Sequence, residues 1–336
     1  MSSAPSRARN LAVFGAKALV AIALISWLVR SGALNFGALA VLINKPTLLA
    51  LDLGLFGAGV IVGTLRWRAL LGIADVRAPL PRLLQLQMTA LFFNVVIPGN
   101  VGGDVVKALY VARDAPKEKR STILLIVFVE RLLGLAGLVA TATAVTVFRG
   151  HVLWDDPLLR PLATVVALLG ASTVLGVAGF VLFMRIAGHR LEAWTSGPSR
   201  IAKLLGRLVF AMRLLSRGPK GLLVALGLSM ILHGLAMAFF TVLTAAISGH
   251  DVGYASVATV FPLGILTMVL PVSPAGLGVG HVAFEKLFLA IGLSGGATIF
   301  NVYVIGQIAP CLFGVLPYLA LRKTSGVIAE GEMPPA

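Results

Sequence analysis

Six charged side chains, Asp104, Lys107, Glu130, Arg131, Glu285 and Lys286, lie inside long apolar stretches of the chain. Alone at the centre of a helix in lipid, each would cost about 2.5 to 3.5 kcal/mol, so all six must face a protein interior and find partners. Glu130 and Arg131 sit mid-way along one apolar run, in VFVERLLG. Neighbours on a helix point about 100° apart and pair poorly with each other. Glu130 is therefore expected near Lys107, with Arg131 either paired to Asp104 or available to fork onto phosphate oxygens. A salt-bridge cluster that only positions helices is the other reading. Glu285 and Lys286 could be the symmetry counterpart of these charges in a second hairpin. His233 and His281 are candidates for carrying protons, His281 the better one, although a membrane histidine often makes a single structural hydrogen bond. Asp155, Asp156, His151, His250 and Asp251 lack the spacing of a recognised metal site, so neither metal nor cofactor is expected.

Two proline–glycine breaks must position these charges. PGNVGGD, Pro98 to Asp104, and PAGLGVGH, Pro274 to His281, share a pattern: Pro, two small or polar residues, an aliphatic residue, Gly, then a helix-compatible run with one lysine. Backbone that leaves a helix inside lipid has to be buried in protein or line a watery cavity. The half-helices after Gly103 and Gly278 would begin with unpaired N–H groups and a positive dipole end, which favour an anion. Two such ends meeting near the bilayer midplane would be the sign of an inverted repeat. The alternative is that Pro and Gly simply bend tightly packed helices. Asn94, Gln85 and Gln87 are placed to satisfy the kinked backbone.

The whole chain must supply a membrane-embedded frame for such a site. Of its 336 residues 58% are hydrophobic and 12% charged, which excludes an ordinary water-soluble domain. The net charge of +15 resides in short connections between apolar runs, which reads as membrane topology and not nucleic-acid binding. Six runs are long enough to cross a hydrocarbon core: 11–29, 48–65, 121–148, 161–184, 221–247 and 296–321. The first is read as a retained span, not a cleaved leader. Both the connection with Arg66, Arg68, Arg77 and Arg82 and that with Arg113, Lys117, Lys119 and Arg120 are basic, so both belong on the cytoplasmic side. Residues 83–111 then form a re-entrant hairpin. Residues 255–291 form a second hairpin of opposite orientation, which leaves both termini cytoplasmic. Residues 199–220 fit an amphipathic cytoplasmic helix with Ile201, Leu204, Leu208 and Met212 on one face and Arg200, Lys203, Arg207 and Arg213 on the other. The expected fold is an all-α polytopic membrane protein, one integral domain over 1–336. It has six full spans and two oppositely oriented re-entrant hairpins arranged as an inverted repeat.

NVVIPGNVGGDVVKALY, VERLLG and PVSPAGLGVGHVAFEKLF together resemble the flippase-like family of the transmembrane region of lysylphosphatidylglycerol synthases, also called UPF0104. The resemblance covers nearly the whole chain. It implies a region that moves phospholipid across the bilayer, whereas in larger members a separate C-terminal cytoplasmic domain attaches the amino acid. That domain is expected to be missing, since the sequence ends at Ala336 soon after the last span. The chain departs from the family pattern at Lys107, where Arg is common, and at Gly280-His281, where Arg-Glu is common.

The function expected is translocation of a phospholipid or other phosphate-bearing lipid across the cytoplasmic membrane, without enzymatic activity. Asn94, Pro98, Gly99, Asn100, Gly102, Gly103, Asp104 and Lys107 would form one wall of the path and Glu130 and Arg131 its centre. Pro274, Gly276, Gly278, His281 and Glu285 would form the other wall. Two other readings remain: an ion-coupled carrier of a soluble anion, and a non-transporting membrane partner of a lipid-modifying enzyme.

Overall fold

A computed structural model describes residues 40, 42–97, 102–155, 157, 159–187, 190–191, 206, 209–210, 213, 216, 218–268 and 277–321. The expected span 11–29, the turn residues Pro98, Gly99, Asn100, Pro274 and Gly276, and most of the amphipathic segment 199–220 lie outside the described residues.

The described chain is helical throughout its regular structure. The helices are α1 (Pro46–Ile73), α2 (Leu80–Val96), α3 (Gly102–Asp114), α4 (Arg120–Phe148), α5 (Gly150–Asp155), α6 (Arg160–Ile186), α7 (Pro219–Ser248), α8 (Tyr254–Met268), α9 (Leu277–Ala290) and α10 (Gly296–Cys311). A 3-10 turn over Leu312–Gly314 continues α10, and the combined helical segment reaches Leu321. Proline occupies the first positions of α1, α2, α6 and α7, where its missing N–H costs nothing. α7 stops at Gly249, whose φ of 70° is the left-handed conformation suited to glycine.

Five of these segments, α1, α4, α6, α7 and Gly296–Leu321, are long and apolar enough to cross a membrane. α1 has 28 residues, about 42 Å of helix, against a hydrocarbon core of about 30 Å. It is longer than the sequence run 48–65 suggested, and the extra turns carry Arg66 and Arg68 inside the helix instead of in a connection. Val174 and Leu175 of α6 are 69% and 72% exposed, an arrangement suited to lipid and not to water.

α7 lies antiparallel along α1. Lys45, just before α1, donates to the Ala246 carbonyl at one end, and Gly218 and Gly221 abut Ile73 at the other. α4 closes on α7 where Gly137 meets Ser229, an approach that leaves no room for a side chain at 137. α2 and α3 form a helical hairpin, as do α8 and α9. The first hairpin begins and ends at the Ile73 end of the bundle: Lys119 donates to the Asp75 carbonyl at 2.9 Å, and Arg82 pairs with Asp114 at 3.6 Å. It builds one apolar core there, with Trp67, Leu71, Leu86, Ala108, Ile123 and Leu321. α8 begins just after α7, at the Pro46 end, and the second hairpin builds a larger core there with Leu48, Phe240, Phe261, Phe284 and Phe300.

Candidate functional site

The intramembrane charges of the first hairpin and α4 come together in one network. Glu130, 3% exposed, uses both carboxylate oxygens. Oε2 accepts from Lys107 Nζ at 2.7 Å and Oε1 accepts from the Arg66 guanidinium at 3.0 Å. Lys107, 1% exposed, also donates to Gln87 Oε1 at 3.2 Å, pairs with Asp104 at 3.4 Å and lies 4.8 Å from the Trp67 ring centre. Asp104 in turn accepts from Arg131 Nε at 2.8 Å. Glu130 and Arg131 therefore serve different partners, as their angular separation requires. The expected pairs Glu130–Lys107 and Arg131–Asp104 are both present.

Sequence reasoning missed three members. Arg66 had been assigned to a cytoplasmic connection, yet it faces Glu130 from within α1 and also donates to the Ser229 hydroxyl at 3.2 Å. Gln87 serves Lys107 and not the kinked backbone, and Gly63 on α1 leaves the space its amide occupies. A single signal was present for Arg66: it follows an unbroken apolar run within less than a turn, so the helix had no reason to stop before it.

Asn94, Gly102 and Gly103 set how the end of α2 meets the start of α3. Asn94 Oδ1 accepts the Gly103 N–H at 2.9 Å, closing one of the open donors at the start of α3. Gly102 and Gly103 are needed for closeness: a Cβ on Gly102 would strike Ile97, and one on Gly103 would strike the Ala90 carbonyl. Asp104, in the first turn of α3, places an internal carboxylate at the positive end of the helix dipole.

Among the described residues, Glu285 and Lys286 of the second hairpin make no ion pair with this network. His281 packs edge-on against Phe300 at 5.1 Å. Glu285 accepts the Ala297 N–H at 2.9 Å and so caps the start of α10, while Lys286 is exposed. Gly278 is exposed at the start of α9. α3 packs chiefly on α2 and α4, and α9 on α8 and α10. His233 lies 3.2 Å from the Gly134 carbonyl, a single backbone contact.

Beside the network is an open cleft of about 250 Å³ between α1, α2, α7 and α10. Leu55, Phe56, Leu91, Leu232 and Leu235 make its walls apolar, while Arg66, Gln87 and Gln307 are its polar points. Arg66 and Gln87 thus belong to both cleft and charge network. Three cations, Arg66, Lys107 and Arg131, face two carboxylates, so the network carries one positive charge in excess.

A helical bundle with five apolar spanning-length segments, wrapped around a charge network that water-facing helices would not need to bury, defines a polytopic integral membrane protein. The chain belongs to the family of the lysylphosphatidylglycerol synthase transmembrane region, whose profile matches residues 14–317. A UPF0104 membrane protein of Methanothermobacter thermautotrophicus is 38% identical over 71 residues. That match covers 21% of this chain and 20% of the relative, so it spans about a fifth of the relative's length. No solved structure matches the chain.

Proposed function

We propose that this protein translocates a phosphate-bearing lipid across the cytoplasmic membrane. The observation that carries the reading is a net-positive, partly open charge network adjoining an apolar-walled cleft. A phosphate-bearing headgroup has the charge to meet Arg66, and its chains have the chemistry of the leucine walls. At about 250 Å³ the cleft lies near the lower end of ligand-site volumes, about 300 Å³, which suits a headgroup with its acyl chains left in the bilayer. Membership of a family named for lysylphosphatidylglycerol synthases supports a lipid-related role.

In this reading the Ile73 end, with Arg77 and Lys119, faces the cytoplasm with both termini. The α2–α3 and α8–α9 hairpins dip into the bilayer from opposite faces as inverted repeats. Asp104 and Arg131 form the rim through which the headgroup reaches Glu130, Lys107 and Arg66. Asn94 and the turn Pro98, Gly99, Asn100, Gly102 and Gly103 make one wall. The α8–α9 turn, with Pro274, Gly276, Gly278, His281 and Glu285, makes the other.

The test is a liposome assay with fluorescent phospholipids of anionic and zwitterionic headgroup. Purified protein should expose inner-leaflet label to an external quencher faster than protein-free vesicles do, and Arg66→Gln should remove most of the gain. No gain for any headgroup sinks the reading. Uptake of a soluble anion into sealed vesicles in its place favours a carrier.

A further inference from the structure

Asp52 is a second buried charge, remote from the network. It lies in α1, 14 residues before Arg66, about 21 Å along the helix axis. Its exposure is 1% and its Oδ1 is buried with no hydrogen-bond partner. None of the ion pairs among the described residues includes it.

The carboxyl is seated tightly against α10. A Cβ on Gly306 would lie 3.1 Å from Oδ2 and 3.3 Å from Oδ1, so glycine at 306 is what admits the carboxyl there. Gln307, the next residue, lines the cleft, as do Leu55 and Phe56 about one turn along α1 from Asp52. The carboxyl therefore lies beside the cleft, at the end remote from Arg66.

Of the charged and titratable groups on the surrounding helices most are engaged elsewhere, but Arg149, whose Nε is buried without a hydrogen-bond partner, and Tyr303 are not. Lys45 is bound to the Ala246 carbonyl, His233 of α7 to Gly134 and Arg82 of α2 to Asp114. On α4, Glu130 and Arg131 belong to the distant network and Arg149 ends the helix without an ion pair to Asp52. Tyr303 of α10, partly buried, lies within electrostatic reach of Asp52.

An ionised carboxylate buried with no cation or donor among the described side chains to meet it is costly. A metal ion needs several oxygen ligands, and no group of three or more acidic, histidine or cysteine side chains occurs among the described residues. A proton neutralises the group without extra ligands or volume. We propose that Asp52 is an intramembrane proton-binding site that exchanges its proton through the adjoining cleft. This does not rest on which lipid, if any, the protein moves.

Infrared difference spectroscopy of the purified full chain in lipid tests the site directly. At acidic pH the wild type should show a protonated-carboxyl C=O band that Asp52→Asn lacks. Above its midpoint the band should fall about tenfold per pH unit. Replacing choline with sodium at constant pH should leave it unchanged. A wild-type spectrum indistinguishable from that of Asp52→Asn at every pH overturns the proposal, and loss of the band on adding sodium overturns it in favour of an alkali-cation site. Asp52→Glu keeps a titratable group and should restore a band at a shifted midpoint, which guards against a folding defect in the Asn variant. The spectrum reads the carboxyl whether or not lipid moves, and the vesicle assay reads lipid whether or not Asp52 titrates.

Discussion

Glu130 is the residue on which the charge network turns, because one carboxylate neutralises two cations from two different elements. Glu130→Gln keeps the shape and removes the charge, which leaves Lys107 buried beside Arg66 with Asp104 as its remaining carboxylate partner. Breaking a buried ion pair from one side costs about 3–5 kcal/mol, so this variant should lower the thermal unfolding midpoint in detergent sharply. Asp104→Asn, whose partner Arg131 is 39% exposed, should lower it less. The reverse order would show that the rim and not the buried centre holds the helices together. The two pairs Glu130–Lys107 and Arg131–Asp104 were legible in the sequence because charges in lipid must find opposite charges nearby. Arg66 was not, because an arginine at the end of an apolar run has the same appearance as a topological anchor. Ser229 was not legible either, since a hydroxyl in an apolar helix can bond its own preceding turn, as this one also does to Ala225.

The first hairpin depends on glycine at a close helix approach. Gly103→Ala should force α3 away from the Ala90 carbonyl and disturb the position of Lys107 one turn on. Gly54, with open space around it in α1, is the control: Gly54→Ala should be neutral or stabilising by up to about 1 kcal/mol. Comparing unfolding midpoints of the two variants checks this, and equal effects would refute the packing role of Gly103. The breaks themselves were legible, since Pro and Gly at these spacings interrupt otherwise continuous apolar runs. How the open end of α3 is satisfied was not. Sequence predicts unpaired N–H groups and a positive helix end, but it cannot say whether the anion that answers them comes from outside or from the chain. Here the answer comes from within: Asn94 supplies a neutral acceptor to the Gly103 N–H and Asp104 a carboxylate in the first turn. Glu285 had the same ambiguity, and it caps α10 instead of joining a second charge cluster.

The whole molecule has two apolar cores at opposite ends of the α1–α7 pair, each completed by one hairpin. This arrangement makes a topological demand that the distribution of Lys and Arg also makes. The connections before α2 and after α3 lie at one end of the bundle, where Lys119 reaches the Asp75 carbonyl, while the turn after α7 lies at the other end with Val252 in the opposite core, and the proposed topology puts these ends on opposite sides of the membrane. Single cysteines test it, since the native Cys311 is buried and should stay silent to a membrane-impermeant maleimide. Arg77, Glu118, Asp155 and Asp251 are all exposed. Arg77→Cys and Glu118→Cys should react together in inside-out vesicles and be shielded in right-side-out ones, and Asp155→Cys and Asp251→Cys should show the opposite pattern. If Arg77→Cys and Glu118→Cys react from different sides, the first hairpin crosses the bilayer outright. Its two helices, of 17 and 13 residues, would then have to span it end to end, and the proposed re-entrant topology would be wrong.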